Sequence, residues 1–343
     1  MTKLGISIVG LGMAVEPHAK SLLDLKDRVD VRWAASPSQA RIEKFASRYP
    51  FPVTTDVDRA ITDPAVDAVI LLTPPGTHRD VGKQCLENGK HVLVEKPLEF
   101  DVQRATDLVE TAERTQGTLG VVFQHRFRKS TRRAAALIAE GRLGSIEAAM
   151  ANIPWWRPQS YYDEPGRGTM ARDGGGVLIT QAIHTIDVFR SLVCGVRGVV
   201  TAQAVTTGVH RMECEDFVSA LVRLGNGAPG TIMATTAAYP GRPEQIDIIG
   251  TRGVLSIKGD TLSFKGIDGE AVEENFATDT GSGADPMAFS HEAHRDLIAD
   301  FVEAVTTGRS PVSSGREALA TQVLLEGILS VARSSKETAL PRV

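Results

Sequence analysis

The fold of this chain turns on Gly89-Lys90-His91-Val92-Leu93-Val94-Glu95-Lys96-Pro97. The apolar run Val92–Val94 ends abruptly in a carboxylate, an ammonium and a proline. A strand of a parallel sheet is buried on both faces and reads as such a short apolar run, and ligands gather beyond its carboxyl end. Glu95 and Lys96 are therefore expected where a strand delivers side chains to a ligand crevice. Pro97 fixes its own φ and pushes Lys96 towards an extended conformation, which stiffens the turn. Taken alone, the pair reads equally as a solvated loop couple or as a rigidly aimed lysine with its partner.

Outward from this stretch, strands and helices alternate. Thr77–Asn88 reads as a helix stopped by Gly89, Asp101–Arg114 as the next helix and Thr118–Phe123 as a further strand. Towards the N-terminus, Leu4–Val9 is a strand followed by Gly10-Leu11-Gly12 and a helix to about Leu25. Val29–Ala35 is a second strand, and Ser38–Tyr49 a helix with Ile42, Phe45, Ala46 and Tyr49 on its apolar face. Asp56 can cap a short helix before the strand Val66–Leu72. Such alternation implies right-handed βαβ units and a parallel sheet covered on both faces.

After about Gln124 the pattern changes. A basic helix, Lys129–Glu140, leads to a strand near Ser145–Ile153 and an aromatic, Pro- and Gly-rich loop, Pro154–Gly168. One helix is expected over Gly175–Val193. From Val199 to Lys265, β-type runs are broken by turns such as Asn226-Gly227 and Thr251-Arg252-Gly253, which predicts a mostly antiparallel sheet. A Gly/Asp/Thr-rich loop, Thr278–Pro286, precedes two closing helices, His291–Thr306 and Arg316–Ser335. The expected division is an α/β domain over 1–124 and an α+β domain over 125–343.

The chain's 343 residues leave room for two domains, and 42% hydrophobic and 23% charged residues are ordinary for a soluble globular protein. A net charge of -4 gives no footprint for nucleic acid or an anionic membrane. Cys85, Cys194 and Cys214 are odd in number and form no Cys-x-x-Cys pair, which argues against a disulfide scaffold or a structural zinc site. Met1–Val9 lacks a secretory cleavage pattern, and no apolar run is long enough to span a bilayer. A cytoplasmic protein acting on a small molecule is expected.

Gly10-x-Gly12 follows a strand and opens a helix. The first glycine permits the tight turn, and the second lets backbone approach a pyrophosphate that meets the helix N-terminus. Val15 stands where the usual fingerprint has a third glycine. In this setting the motif points to a dinucleotide, with Gly10, Gly12 and Met13 against it. An NAD-binding chain usually carries Asp or Glu at the end of the second strand for the ribose 2′-hydroxyl. This chain has Ser36-Pro37-Ser38 and then Arg41. Hydroxyls and a guanidinium bind a 2′-phosphate, so NADP is expected ahead of NAD, with Ser36, Ser38 and Arg41 as contacts. The alternative is that Arg41 is a solvated helix residue. The stiff loop Thr73-Pro74-Pro75-Gly76-Thr77-His78 ends another strand and is expected to line the cofactor through Thr73, Pro74 and His78, beside Glu95 and Lys96.

Gly174-Gly175-Gly176, where backbone can pass close to something bulky, leads into a helix bearing Thr180, His184 and Asp187. These fall at i, i+4 and i+7 on one polar face, against an apolar stripe of Ile179, Ile183, Ile186 and Phe189. A histidine flanked by hydroxyl and carboxylate suits a general base. The same pattern fits a structural histidine and a threonine bonded to its own helix backbone. Arg126, Trp155, Trp156, Arg157, Tyr161, Tyr162 and Arg167 gather donors and aromatic faces near the expected domain junction. They suit hydroxyl-rich rings or a carboxylate, with Arg126, Trp156 and Arg167 as substrate contacts, and equally suit the pinning of a loop or subunit interface. His291 and His294 have His-x-x-His spacing without a third ligand at a recognisable distance, so no metal is expected. His210, Cys194 and Cys214 form no recognisable site.

With these motifs in hand, the chain resembles, nearly end to end, the Gfo/Idh/MocA oxidoreductases (glucose–fructose oxidoreductase, inositol dehydrogenase, rhizopine catabolism). The resemblance rests on Gly10-x-Gly12, Thr73-Pro74-Pro75 with His78, Glu95-Lys96-Pro97, Gln124-x-Arg126-Phe127, Gly174-Gly175-Gly176 through His184 to Asp187, and Asp300-Phe301 before Gly308-Arg309-x-Pro311. It implies a Rossmann domain and a second α/β domain whose open antiparallel sheet supports the active site and a homodimer or homotetramer. It implies hydride transfer between NAD(P) and a carbinol carbon of a sugar, inositol or related cyclic alcohol. Lys96 is then the active-site lysine and His184 the acid/base, with Thr180 where the family often has Asp. A dihydrodiol-type dehydrogenase, an NAD-dependent glycosidase and a nucleotide-sensing regulator without chemistry are the other readings the resemblance allows. Lys96 and His184 together argue against the regulator, and Thr180 in place of Asp argues mildly for it.

Overall fold

A computed structural model of the chain describes residues 3–276 and 290–334; the loop expected at Thr278–Pro286 lies outside them. The first sheet contains β1 (Leu4–Val9), β2 (Val29–Ala35), β3 (Val53–Thr54), β4 (Ala68–Leu71), β5 (His91–Val94) and β6 (Leu119–Val121). Their spatial order is β3-β2-β1-β4-β5-β6, and every neighbouring pair is parallel. The order reverses between β1 and β4, the switch point where open α/β sheets bind ligands. Helices α1 (Val15–Asp24), α2 (Gln39–Ala46), α3 (Val57–Thr62), α4 (His78–Glu87) and α5 (Val102–Arg114) make the connections. Ser38, Asp56 and Asp101 cap α2, α3 and α5 by accepting the backbone N–H groups of Arg41, Arg59 and Arg104. The expected strands and helices are all present; the two-residue edge strand β3 was too short to show a period.

The described residues fall into two compact units. The first holds the chain up to Arg128 together with the stretch from Ser290 to Gln322, and the second holds Lys129 to Phe276 and Val323 to Ser334. A single cut after residue 124 therefore does not describe them, and the return of residues 290–322 has a packing cause. Helix α10 (Glu292–Thr307) buries Leu297, Ile298, Phe301 and Val302 in the cluster that holds Ile6, Ile8, Leu22 and Leu93. The Phe301 ring fills the space beside Gly120, where a Cβ would lie 3.0 Å from it. Asp300 fastens the turn that follows: its carboxylate accepts from Arg309 Nη2 at 2.7 Å and from the Val312 N–H at 2.8 Å. Helix α11 (Gly315–Ser334) comes last.

The second unit opens with α6 (Lys129–Ala139) and β7 (Ile146–Pro154), followed by the short helices α7 (Gln159–Tyr162) and α8 (Met170–Asp173). A helix expected as one piece over Gly175–Val193 is instead a π-helical turn, Leu178–Ala182, continuing into α9 (Ile183–Leu192). Strands β8 (Val196–Val205), β9 (Phe217–Leu224), β10 (Pro229–Thr235), β11 (Gln245–Gly250), β12 (Gly253–Lys258), β13 (Thr261–Gly266) and β14 (Ala271–Asn275) join β7 in an eight-stranded sheet. The order is β14-β13-β12-β11-β7-β10-β9-β8, with β7–β10 parallel and the other neighbours antiparallel. Asn226-Gly227 and Thr251-Arg252 turn two of the hairpins, as expected. Among the described residues no helix is long and apolar enough to cross a membrane.

Truncating Phe301 to alanine removes the ring that ties α10 into the first core. Phe301→Ala is expected to cost about 3–5 kcal/mol in urea denaturation. A loss under about 1 kcal/mol would show that α10 does not share this core.

Candidate functional site

Because all pairs in the first sheet are parallel, the turns after β1, β2, β4 and β5 open at one edge of it. Gly10 has φ +105°, donates its N–H to Ala35 O at 2.9 Å, and would set a Cβ 2.6 Å from the Leu72 carbonyl. Only glycine fits there. At Gly12 a Cβ meets no heavy atom within 4 Å, so the protein itself does not demand glycine, whereas a ligand lying close to the backbone would. Helix α1 has Ala14 at its N-cap, without the side-chain cap that α2, α3 and α5 have, which leaves N–H groups of its first turn for an anion. Met13 beside it is 66% exposed. These features fit a dinucleotide pyrophosphate. After β2, Ser36 is buried and accepts the Ser38 N–H at 3.3 Å, while Ser38 accepts the Arg41 N–H at 3.5 Å. Arg41 is exposed and forms no ion pair with another described residue.

His78 is fully buried, its ring nitrogens 2.9 Å from Pro97 O and 2.8 Å from Thr73 O. Burial pushes its pKa down although both carbonyls favour the charged ring. The residue expected to line a cofactor thus staples the loop after β4 to the turn after β5. In that loop Thr77 Oγ1 donates to Thr73 Oγ1 or to Pro74 O, at 2.7 and 2.8 Å. The turn after β5 has a cis Lys96–Pro97 peptide. Glu95 accepts from the Lys96 N–H through Oε2 and from His18 Nε2 through Oε1, both at 3.0 Å. Burial would raise the Glu95 carboxyl, but bonded His18, with Lys96 nearby, holds it below the usual carboxylate range. Glu95 is thereby an anchor of the lysine turn, and His18 is a residue the sequence reading passed over. Arg126 is buried and donates to Val312 O and Glu317 Oε2, both at 3.1 Å, which secures the start of α11.

In the second unit the helix bearing Thr180, His184 and Asp187 is enclosed, not half-exposed: His184 is only 8% exposed and Asp187 is fully buried. Thr180 lies in the π turn, a feature frequent at functional sites. Its hydroxyl donates to Gly176 O at 2.6 Å and also approaches Gln181 Oε1. Gln181 Nε2 in turn donates to the Tyr161 hydroxyl at 3.2 Å, and Arg167 Nη1 donates to the same oxygen at 3.0 Å. Arg167 also lies over the Tyr161 ring, 4.4 Å from its centroid, and pairs with Glu164 at 2.7 Å. Trp156 packs against His210 and Tyr239. His210, for which the sequence suggested no site, is buried between Asp216 Oδ2 at 2.7 Å and Arg157 O at 2.8 Å, a structural position.

The bulky group that the third glycine lets pass is Glu215, whereas Gly175 lies against Ile179. A Cβ on Gly176 would lie 1.9 Å from Glu215 O. The Glu215 carboxylate accepts the N–H groups of Gly176 at 3.2 Å and Leu178 at 3.3 Å, so it caps the entry to the π turn. Burial raises its pKa above the ordinary glutamate value despite these bonds. Nothing in the sequence distinguished it from its acidic neighbours Glu213 and Asp216.

The sequence profile of the Gfo/Idh/MocA oxidoreductase family, with NAD-binding Rossmann fold, matches residues 4–123, and that of the family's C-terminal domain matches residues 131–256. Inositol 2-dehydrogenase of Rhizobium meliloti is 24% identical over 344 residues, covering 97% of this chain and 98% of that protein. The WlbA dehydrogenase of Bordetella pertussis, solved with NADH and UDP-GlcNAcA, is 26% identical with a TM-score of 0.82, covering 100% of this chain and 99% of that one. Levoglucosan dehydrogenase, solved with NADH and levoglucosan, shares the fold at 22% identity and a TM-score of 0.86, over 97% of this chain and 98% of that one.

Glu215 makes two opposite stability signatures measurable. Glu215→Ala strips Gly176 and Leu178 of an acceptor and is expected to lose about 1–3 kcal/mol in urea denaturation. Because the folded pKa is raised, the stability Glu215 contributes is full below its ordinary pKa and falls as pH rises through the folded one. Glu215→Gln lacks this titration, so wild type should lose ground to it as pH rises above the ordinary glutamate value of about 4.3. The reverse slope would show that the carboxylate is stabilised as an anion.

Proposed function

The chain belongs to the Gfo/Idh/MocA family of oxidoreductases, and from that premise we propose that it moves a hydride between NAD(P) and a carbinol carbon of a sugar, an inositol or a related cyclic polyol. The observation that supports this most is the opening of the Gly10–Gly12 turn and the Lys96 turn at the same sheet edge. The bound nicotinamide supplies the hydride acceptor or donor. His184 takes the hydroxyl proton in the oxidative direction, Lys96 donates a hydrogen bond to the carbinol oxygen as charge develops on it, and Thr180 orients the substrate or His184. A polyol or sugar is in keeping with the inositol dehydrogenase among the relatives and the sugar nucleotide bound by WlbA. Arg126, Trp156 and Arg167 remain assigned to substrate binding, Arg126 by holding neighbouring backbone and Trp156 and Arg167 through their aromatic and cationic surfaces.

For the cofactor, the exposed Arg41 and the missing acid after β2 favour NADP, while the NADH held by WlbA makes NAD the alternative. A homodimer or homotetramer is also part of the proposal. Met150, Val200, Leu221, Ile249 and Val254 are exposed on the second unit's sheet, an apolar surface of the kind that association covers.

Activity is tested by following reduced-nicotinamide absorbance while sugars, inositols and dihydrodiols are screened with NAD and NADP. Lys96→Ala and His184→Ala should each lower turnover by about 10²–10⁴. A loss under tenfold in both, with the fold intact, would remove the two assignments, and NADH binding at least as tightly as NADPH would retire the NADP preference. Nucleotide binding without turnover on any carbinol would favour a sensor or a glycosidase. Light scattering after size exclusion should give a multiple of the 36.8 kDa chain mass; a monomer at micromolar concentration would refute the oligomer.

A further inference from the structure

His291-x-x-His294 lacks a third ligand nearby in sequence, but the fold brings one from elsewhere. His294 on α10, His18 on α1 and Glu95 at the end of β5 each offer one ligand atom, and these lie within 4.8 Å of one another. His18 is fully buried, and its ring meets that of His294 edge to face with centroids 5.3 Å apart. His18 Nε2 and Glu95 Oε1 already stand 3.0 Å apart, and a metal ion held between them would replace the proton they share. His294 Nδ1 is buried without a hydrogen-bond partner. Buried polar atoms without partners are costly and uncommon, and a metal ion is one group that satisfies them.

We propose that His18, Glu95 and His294 bind a divalent transition-metal ion of the Zn²⁺ or Co²⁺ type. Two imidazoles and a carboxylate are a familiar zinc donor set, with metal–ligand distances of about 2.0–2.2 Å. Ligand atoms around a tetrahedral ion then stand about 3.3 Å apart, so donors within 4.8 Å close by at most about 1.5 Å. The Glu95 side chain is 14% exposed and His294 is partly buried, which leaves a side open for entry and for water as a further ligand. Lys96 beside Glu95 and Arg128 beside His294 add positive charge. The affinity is therefore below that of a closed four-ligand structural site. His291 takes no part, since its Nε2 pairs with Asp24 at 2.7 Å.

The test is equilibrium dialysis of the full chain, stripped by chelator, against Zn²⁺ or Co²⁺ chloride, with the visible spectrum of the Co²⁺ form and a thermal melt. Wild type should bind about one equivalent, show the intense bands of a four- or five-coordinate Co²⁺ site, and gain in Tm. His294→Phe keeps a ring packed on His18 but removes the ligand, and should bind at least about tenfold more weakly with no gain in Tm. His291→Gln should bind as wild type does. Three results would each overturn the proposal: no stoichiometric binding at millimolar metal, equal binding by His294→Phe, or binding lost with His291 instead.

Discussion

A strand buried on both faces has nowhere to show a polar side chain except beyond its ends. The residues of β4 are fully buried, and those of β5 are nearly so from Val92 onward. Parallel pairing turns that restriction into a location, because every strand then ends at the same edge. Gly10, Ser36, Thr73 and Lys96 are four consequences of one hydrogen-bonding pattern. What differs among them is how each turn is stiffened. Gly10 is forced by the Leu72 carbonyl, Thr73 is held by His78, and Lys96 follows a carboxylate clamped by His18.

The second unit meets the converse problem. Its helix α9 is enclosed on all sides yet carries His184 and Asp187, and buried polar groups must be satisfied. The polar connections cluster at the entrance: Glu215 caps the turn, Thr180 bonds back to Gly176, and Gln181 reaches Tyr161. Thr180, inside the π turn, bonds Gly176 O through both its N–H and its hydroxyl. The price is a backbone that tolerates no side chain at Gly176.

Where a residue's role follows from its immediate neighbours, it was legible in the sequence. The strand runs, the cap at Asp56, the hairpin at Asn226-Gly227 and the glycine turn after β1 are all local signals. Roles set by distant contacts were not legible. The partners of Arg126, Val312 and Glu317, lie far along the chain and could not be named from its neighbours. Glu215 carried no local mark because its partners lie in the glycine segment. The return of α10 to the first core was hidden for the same reason: its apolar stripe shows that it packs, not against what.

Both constraints, burial and the need for satisfied polar groups, meet at Thr180. A carboxylate there would add a second buried charge beside a histidine already enclosed, and it would need cationic or hydrogen-bonded compensation. Threonine avoids that charge and spends its one proton on Gly176 O or Gln181 Oε1. Its oxygen keeps lone pairs, so it remains able to accept from a substrate hydroxyl or from His184. The charged donor in this neighbourhood is instead Arg167, bonded to Tyr161 at the far end of the same chain of contacts. Relative to an aspartate at position 180, the arrangement places the charge on the loop and not on the helix.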